Sequence, residues 1–317
     1  MKGLTDVPGI LVGHVTDSRA LTGCTVILCP PDSVGGIDIR GSATGTSDID
    51  VLAPWHVTNA VHAICLAGGS AFGLEAASGV RRALEKRGVG FAFGGARVPI
   101  VPGAILFDLG IGSQHVRPDR EMGEKGVEAA NDGPVVEGNV GAGTGATVGK
   151  ILGMKQAMKS GIGSASLTLG SGVMVGALVA VNALGDVIDP MRGAIVAGAR
   201  ISPESRDFVN SAAVMRHGDH EPARGRGNTT LAVVATNARF DKVQTNKVAA
   251  LASLGVARAI SPVNTMGDGD LTFAVSCGKE KASVDAVGAV AAEVLATAVI
   301  RAVRAAKSAG GVPGLAG

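Results

Sequence analysis

The sequence predicts a mixed fold in which helices pack closely on β-sheet. Three observations carry that expectation. The chain has 317 residues, 46% hydrophobic and 18% charged, which is enough for one large α/β domain or two smaller ones around a substantial buried core. It contains 48 glycines, no tyrosine and a single tryptophan, so the core must be filled by Val, Ile, Leu and Ala, with backbones in close approach. Short apolar runs of strand-forming residues recur from the N-terminus onward, and long helical patterns follow towards the C-terminus.

Composition also excludes function classes. The net charge is +2, with Lys and Arg scattered rather than clustered, so neither nucleic acid nor an acidic membrane surface is expected as a partner. The four cysteines, Cys24, Cys29, Cys65 and Cys277, show no CxxC spacing and stand in apolar settings. They read as reduced thiols, with a cytoplasmic location expected. Residues 1–15 lack the pattern of a signal peptide, and no transmembrane span is expected.

In chain order, 9–15 and 23–28 are predicted strands. Residues 35–50 are too rich in glycine for a regular element and are expected to form a structured loop. Residues 63–67 form a strand leading through Gly68-Gly69-Ser70-Ala71-Phe72 into a helix ending near Arg87. This resembles a nucleophile elbow, but Phe72 stands where the second glycine of that motif is required, so Ser70 is expected to cap the helix or line a pocket. Two prolines exclude a helix over 98–102, strand material covers 104–109, and a helix is expected near 121–130.

Residues 137–150 are glycine-rich: Gly141, Gly143 and Ala146 fit a loose dinucleotide pattern, but no apolar strand immediately precedes them, and the Walker spacing before Lys150 fails. A glycine-lined wall carrying Lys150 is the better reading. Strands at 163–169 and 173–183 form a hairpin, the second ending at Asn182, which either makes a turn or points into a site. Regular periodicity weakens from about Met191, and 217–228 reads as a linker. His217 and His220 lack a third ligand, so no metal is implied.

The stretch 227–236 joins a polar, glycine-bearing segment to an apolar strand, which places a threonine hydroxyl at the strand's start. A helix is predicted over 241–259 with Val243, Lys247/Val248, Leu251 and Leu254 on one face. Asp268 and Asp270 then stand two apart before another strand. Like charges so close raise one pKa unless a cation or hydroxyl intervenes. A long helix over 283–307 begins with Ser283 as its cap.

A threonine hydroxyl is a weak nucleophile at neutral pH and needs a base. Its own α-amine, with a pKa of about 8, can serve once the preceding bond is cut. Attack by the Thr229 hydroxyl on the Asn228 carbonyl, an acyl shift from nitrogen to oxygen, and hydrolysis would expose that amine.

Six ordered motifs resemble a known family: 5–14, 61–74, 138–150, 181–186, 228–230 and Met266-Gly-Asp-Gly-Asp270. Together they are similar to the self-processing aminopeptidases that include L-aminopeptidase/D-amidase-esterases, β-peptidyl aminopeptidases and nylon-oligomer hydrolases (peptidase family S58). The resemblance covers essentially the whole chain. It implies a four-layer αββα sandwich of N-terminal-nucleophile type, α+β in class, formed by one domain over 1–317. It also implies cleavage into 1–228 and 229–317, and a homo-oligomer, a tetramer or octamer, of the processed protomers.

Carried over by position, the resemblance makes Thr229 the nucleophile, Asp268 and Asp270 the groups orienting its amine and hydroxyl, Lys150 the nearby cation and Asn182 the oxyanion donor. No cofactor is implied, and the substrate class is small peptides or amides. Phe107, 43 residues before Lys150, stands where the nylon-oligomer hydrolases have a functional tyrosine. Thr230 is adjacent to the joint, but the Asn-Thr bond favours Thr229. The competing readings are an unprocessed small-molecule-binding relative without turnover, and a nucleotide-dependent enzyme using the 141–150 loop.

Overall fold

The computed structural model describes residues 2–170, 172–218 and 227–316. Its two main sheets have five strands each. In chain order the strands are β1 (Leu11–Asp17), β2 (Thr22–Leu28), β3 (Val34–Ile39), β4 (Gly45–Ser47), β5 (Ala63–Ala67), β6 (Gly103–Ile105), β7 (Ile162–Thr168), β8 (Met174–Asn182), β9 (Thr229–Ala238) and β10 (Leu271–Glu280). The first sheet runs β1-β2-β5-β6-β4 and the second β7-β8-β9-β10-β3. The β5–β6 and β9–β10 pairs are parallel, and the others are antiparallel.

The sheets face each other across an apolar layer that includes Leu4, Ile27, Leu66, Leu178, Leu231 and Phe273. On the outer side of the first sheet lie α1 (Glu75–Lys86) and α2 (Arg120–Ala129), packed through Val26, Cys65, Val80 and Val127. A short helix, α3 (Ser211–His217), precedes Gly218. On the second sheet lie α4 (Lys242–Ala259) and α5 (Val284–Arg304), packed through Val179, Val234, Val248 and Leu295. The result is the four-layer αββα sandwich expected from the motifs. Because β8 and β9 are covered on both faces, they read as continuous apolar runs rather than alternating ones.

The expected glycine-rich loop at 35–50 is instead two strands, β3 and β4. A Cβ on Gly36 would stand 2.6 Å from the Asn246 nitrogen and 2.8 Å from the Thr245 carbonyl oxygen of α4. Glycine here lets a helix lie directly on a strand, which outweighs its weak strand preference.

The buried face of α4 also differs from the expected one. Val243 and Leu254 are exposed, whereas Thr245, Val248, Ala249, Ala252 and Val256 are buried. The reason is closeness to α5: a Cβ on Gly255 would stand 2.2 Å from the Ala292 carbonyl oxygen, so small residues face inward and large ones are turned out.

Strand structure in the 104–109 run ends at Ile105, and residues 91–93 and 96–98 form an exposed hairpin. Ser70 lies in a 3₁₀ turn and makes no capping hydrogen bond to α1. The expected linker at 217–228 begins within a helix, because His217 is the last residue of α3. His220 lies outside the described residues. At its far end, Asn228 is buried. Helix α5 is long and apolar enough to cross a membrane by length and composition, but most of its apolar window is buried, packed against α4 and the sheet. The four cysteines are free.

Candidate active site

The antiparallel register of β8 and β9 sets Asn182, the last residue of one strand, opposite Thr229, the first residue of the other. Both are buried. The Thr229 hydroxyl donates to the carbonyl oxygen of Asn228 at 2.5 Å. That oxygen also accepts the Gly269 N–H at 2.8 Å. The carbonyl before Thr229 is therefore held from two sides, one of them the candidate nucleophile itself.

The two carboxylates flank this joint. Asp270 accepts the Thr230 N–H at 2.5 Å on one oxygen and the Asn264 N–H at 2.9 Å on the other. One oxygen of Asp268 accepts both the N–H and the hydroxyl of Thr265, at 2.8 and 2.6 Å. In the uncut chain the Asp270 carboxylate thus fixes the backbone next to Thr229, and that of Asp268 fixes the turn at Thr265. The hydroxyl itself is directed to the Asn228 carbonyl. Burial first, and then the Asp268 charge, pushes the Asp270 carboxyl up to about 7.

Lys150 reaches the joint from the end of the glycine-rich turn. Gly149 has φ +69°, and a Cβ there would stand 2.1 Å from the Ala199 nitrogen, so only glycine fits. The Lys150 ammonium donates to the main-chain and side-chain oxygens of Asn182, both at 2.9 Å, and to the Gly227 carbonyl at 3.4 Å. Burial pulls it down to about 7, with the Asp268 and Asp270 charges acting against that.

The Asn182 amide orientation follows from its partners. Its oxygen accepts from Lys150 and from the Thr147 N–H (3.1 Å), and its NH₂ donates to the carbonyls of Phe107 (3.0 Å) and Gly227 (3.3 Å). Asn182 therefore engages the carbonyl one residue upstream of the Asn228 carbonyl.

A cavity of about 180 Å³ opens beside this network, walled by Phe107, Ile111, Thr147, Lys150, Met154 and Gly227. The Phe107 ring wall is apolar where a tyrosine would add a hydroxyl. A Cβ on Gly227 would stand 2.1 Å from the Phe107 Cβ, so this contact requires glycine. The loose dinucleotide stretch around Gly141–Gly145 supplies a wall of this same cavity.

Sequence reasoning missed three residues behind the site. Lys159 is fully buried, and its ammonium donates to the carbonyls of Thr144 and Ala146 at 2.9 and 2.6 Å, holding the glycine-rich turn from behind. Burial pulls it down to about 7, opposed by Asp108. Asp108 accepts the Thr22 hydroxyl and the Gly69 N–H, both at 2.7 Å, and burial raises its pKa. Gly269 is the third, through the N–H described above. A carboxylate inside the apolar 104–109 run was a usable signal for Asp108. Nothing in the spacing marks Lys159.

The model of peptidase family S58 matches residues 2–316. An uncharacterised aminopeptidase of Mycobacterium leprae is 39% identical, covering 99% of this chain and 93% of that one. A 6-aminohexanoate-oligomer endohydrolase of Kocuria sp. is 33% identical over 94% of this chain and 85% of its own. Among solved structures, an L-aminopeptidase D-Ala-esterase/amidase of Ochrobactrum anthropi, described as a variant of the Ntn hydrolase fold, superposes with a TM-score of 0.69. It is 19% identical and covers 98% of this chain and 88% of that one, a likeness of fold. The fold, the clustered motifs and the match along almost the entire length lead to one assignment: the chain belongs to peptidase family S58 and is a hydrolase of peptide or amide bonds.

Proposed function

We propose that the protein is a self-processing threonine amidohydrolase that cuts its own Asn228–Thr229 bond and then releases N-terminal residues from small peptides or amides. The observation that supports this most is the Thr229 hydroxyl resting 2.5 Å from the carbonyl oxygen of the bond before it. After the cut, the freed α-amine of Thr229, with an ordinary pKa of about 8, takes the hydroxyl proton as the base. Lys150 favours the neutral form of that amine through its charge, and Asp268 and Asp270 hold the strand entrance in place. The Asn182 NH₂ is then placed to donate to the oxyanion of an incoming substrate, and the acyl group enters the cavity walled by Phe107 and Met154.

The two pieces remain one body, because 229–317 supplies β9 and β10, which lie between β8 and β3 of the other piece. Processed protomers assemble as a homo-oligomer in the cytoplasm on this reading. Denaturing electrophoresis tests it. Purified protein should give fragments of about 23 and 9 kDa from the 31.4 kDa chain, and Thr229→Ala should stay whole and inactive against aminoacyl anilides. A single full-length band after prolonged incubation of the wild-type protein, or fragments from Thr229→Ala, refutes it.

A further inference from the structure

We infer that the backbone N–H of Gly269 is the oxyanion donor for the self-cleavage step, a role separate from that of Asn182. The inference rests on the self-processing reading above. The donors near the joint have different partners: Lys150 and Asn182 both reach the Gly227 carbonyl. Asn182 donates to the carbonyls of Phe107 and Gly227. The carbonyl that Thr229 would attack is the next one, that of Asn228, and it accepts from Gly269 at 2.8 Å. Asn228 and Asp268 form a parallel bridge immediately before the β9–β10 ladder, so this hydrogen bond is a rigid, pre-formed rung. Such a donor needs no reorganisation when charge develops on the oxygen.

The site also explains why residue 269 is glycine. A Cβ there would stand 2.8 Å from the Ala43 carbonyl oxygen and 2.9 Å from the Thr229 hydroxyl oxygen. A side chain would press on the nucleophile itself.

The Thr229 Oγ bonds to the Asn228 carbonyl carbon, and the π electrons move onto the carbonyl oxygen, where the Gly269 N–H holds them. The C–N bond then breaks, and the hydroxyl proton ends on the Thr229 nitrogen, leaving an ester. Water adds to that ester, releasing the Asn228 carboxylate and restoring the hydroxyl.

The test replaces only the N–H. Glycolic acid incorporated at position 269 during cell-free translation converts the Asp268–Gly269 amide to an ester. Self-cleavage, followed as fragment appearance on gels, should slow by about 10²- to 10³-fold, the usual effect of losing one oxyanion donor. Glycolic acid at 41 is the control: the Gly41 N–H donates to the Asp270 carbonyl, which also accepts from Arg40, so a neighbouring bond is lost without touching the Asn228 carbonyl. It should cleave at the wild-type rate.

Cleavage of the 269 ester within about threefold of wild type, or equal slowing by the two esters, overturns the inference while wild-type cleavage leaves the self-processing reading standing. No cleavage by wild type defeats that reading instead. Should the 269 ester not fold, a scalar coupling across the hydrogen bond, between the Gly269 nitrogen and the Asn228 carbonyl carbon, is expected in the uncut Thr229→Ala chain. Its absence overturns the inference.

Discussion

Replacing Asp270 by Asn should reverse part of the protein's pH dependence of stability. The Asp270 carboxyl has an ordinary value of 3.8 and is pushed up to about 7 by burial and by Asp268. A raised carboxyl binds its proton more tightly in the folded state, so its contribution is fully present below about pH 4 and is lost as pH rises towards 7. Moving the carboxyl from 3.8 to about 7 corresponds to at most about 4 kcal/mol. Asn cannot titrate, and it also sets an NH₂ or a single acceptor against two backbone N–H donors, Thr230 and Asn264. That mismatch lowers stability by about 1–3 kcal/mol at every pH.

Asp108 and Asp186 are raised by burial too, but both remain in the variant, so their contributions cancel in the difference between the two proteins. Loss of the Asp270 charge also lets Lys150 fall further, which acts in the same direction. The assay is urea unfolding from pH 4 to 8, with both proteins carrying Thr229→Ala to keep one chain. The advantage of the Asp270 protein over Asp270→Asn should shrink steadily from pH 4 to 7. An advantage that stays constant, or that grows with pH as it would for an ordinary ion-paired carboxylate, refutes the assignment of a desolvated, proton-retaining Asp270.

Two further outcomes are expected. Lys159→Met removes the amine that donates to the carbonyls of Thr144 and Ala146; because Lys159 is lowered from 10.5 to about 7, the native lysine's stabilising contribution is lost as pH falls through that window, so the variant's deficit should be smaller at pH 7 than at pH 10 by denaturant unfolding. Phe273→Ala empties a fully buried position between the two sheets and should lower stability by about 3–5 kcal/mol; a loss under about 1 kcal/mol means that the two sheets do not meet there.

Much of the architecture was legible because inner strands and core helices leave strong patterns. The continuous apolar runs of β8 and β9 mark strands covered on both faces, and the Ser283 cap with the apolar stripe of α5 marks the last helix. Where the reading failed, contact between elements had overruled local preference. Gly36 reads as loop in isolation and is strand because α4 needs the space, and α4 turns Val243 and Leu254 outward because α5 is too close for them. Lys159 was invisible for a related reason: its partners are backbone carbonyls, which carry no residue code.

The candidate site repeats this division between side chains and backbone. Lys150, Asn182, Thr229, Asp268 and Asp270 were named from motifs that resemble a known family, and the fold brings Lys150, Asn182 and Thr229 to one strand end with Asp270 on the next residue. Beside Lys159 and Asp108, the structure adds the Gly269 N–H and the Gly227–Phe107 contact, and both of these depend on a missing side chain. A glycine that brings a donor to a carbonyl and one that lets a ring close over the chain look identical as letters. Here they differ in the atom an added Cβ would meet: a hydroxyl and a carbonyl oxygen at 269, an apolar ring at 227. On the self-processing reading, Gly227 lies upstream of the bond to be cut, in contact with Phe107, whereas Gly269 lies on the downstream piece beside the strand entrance.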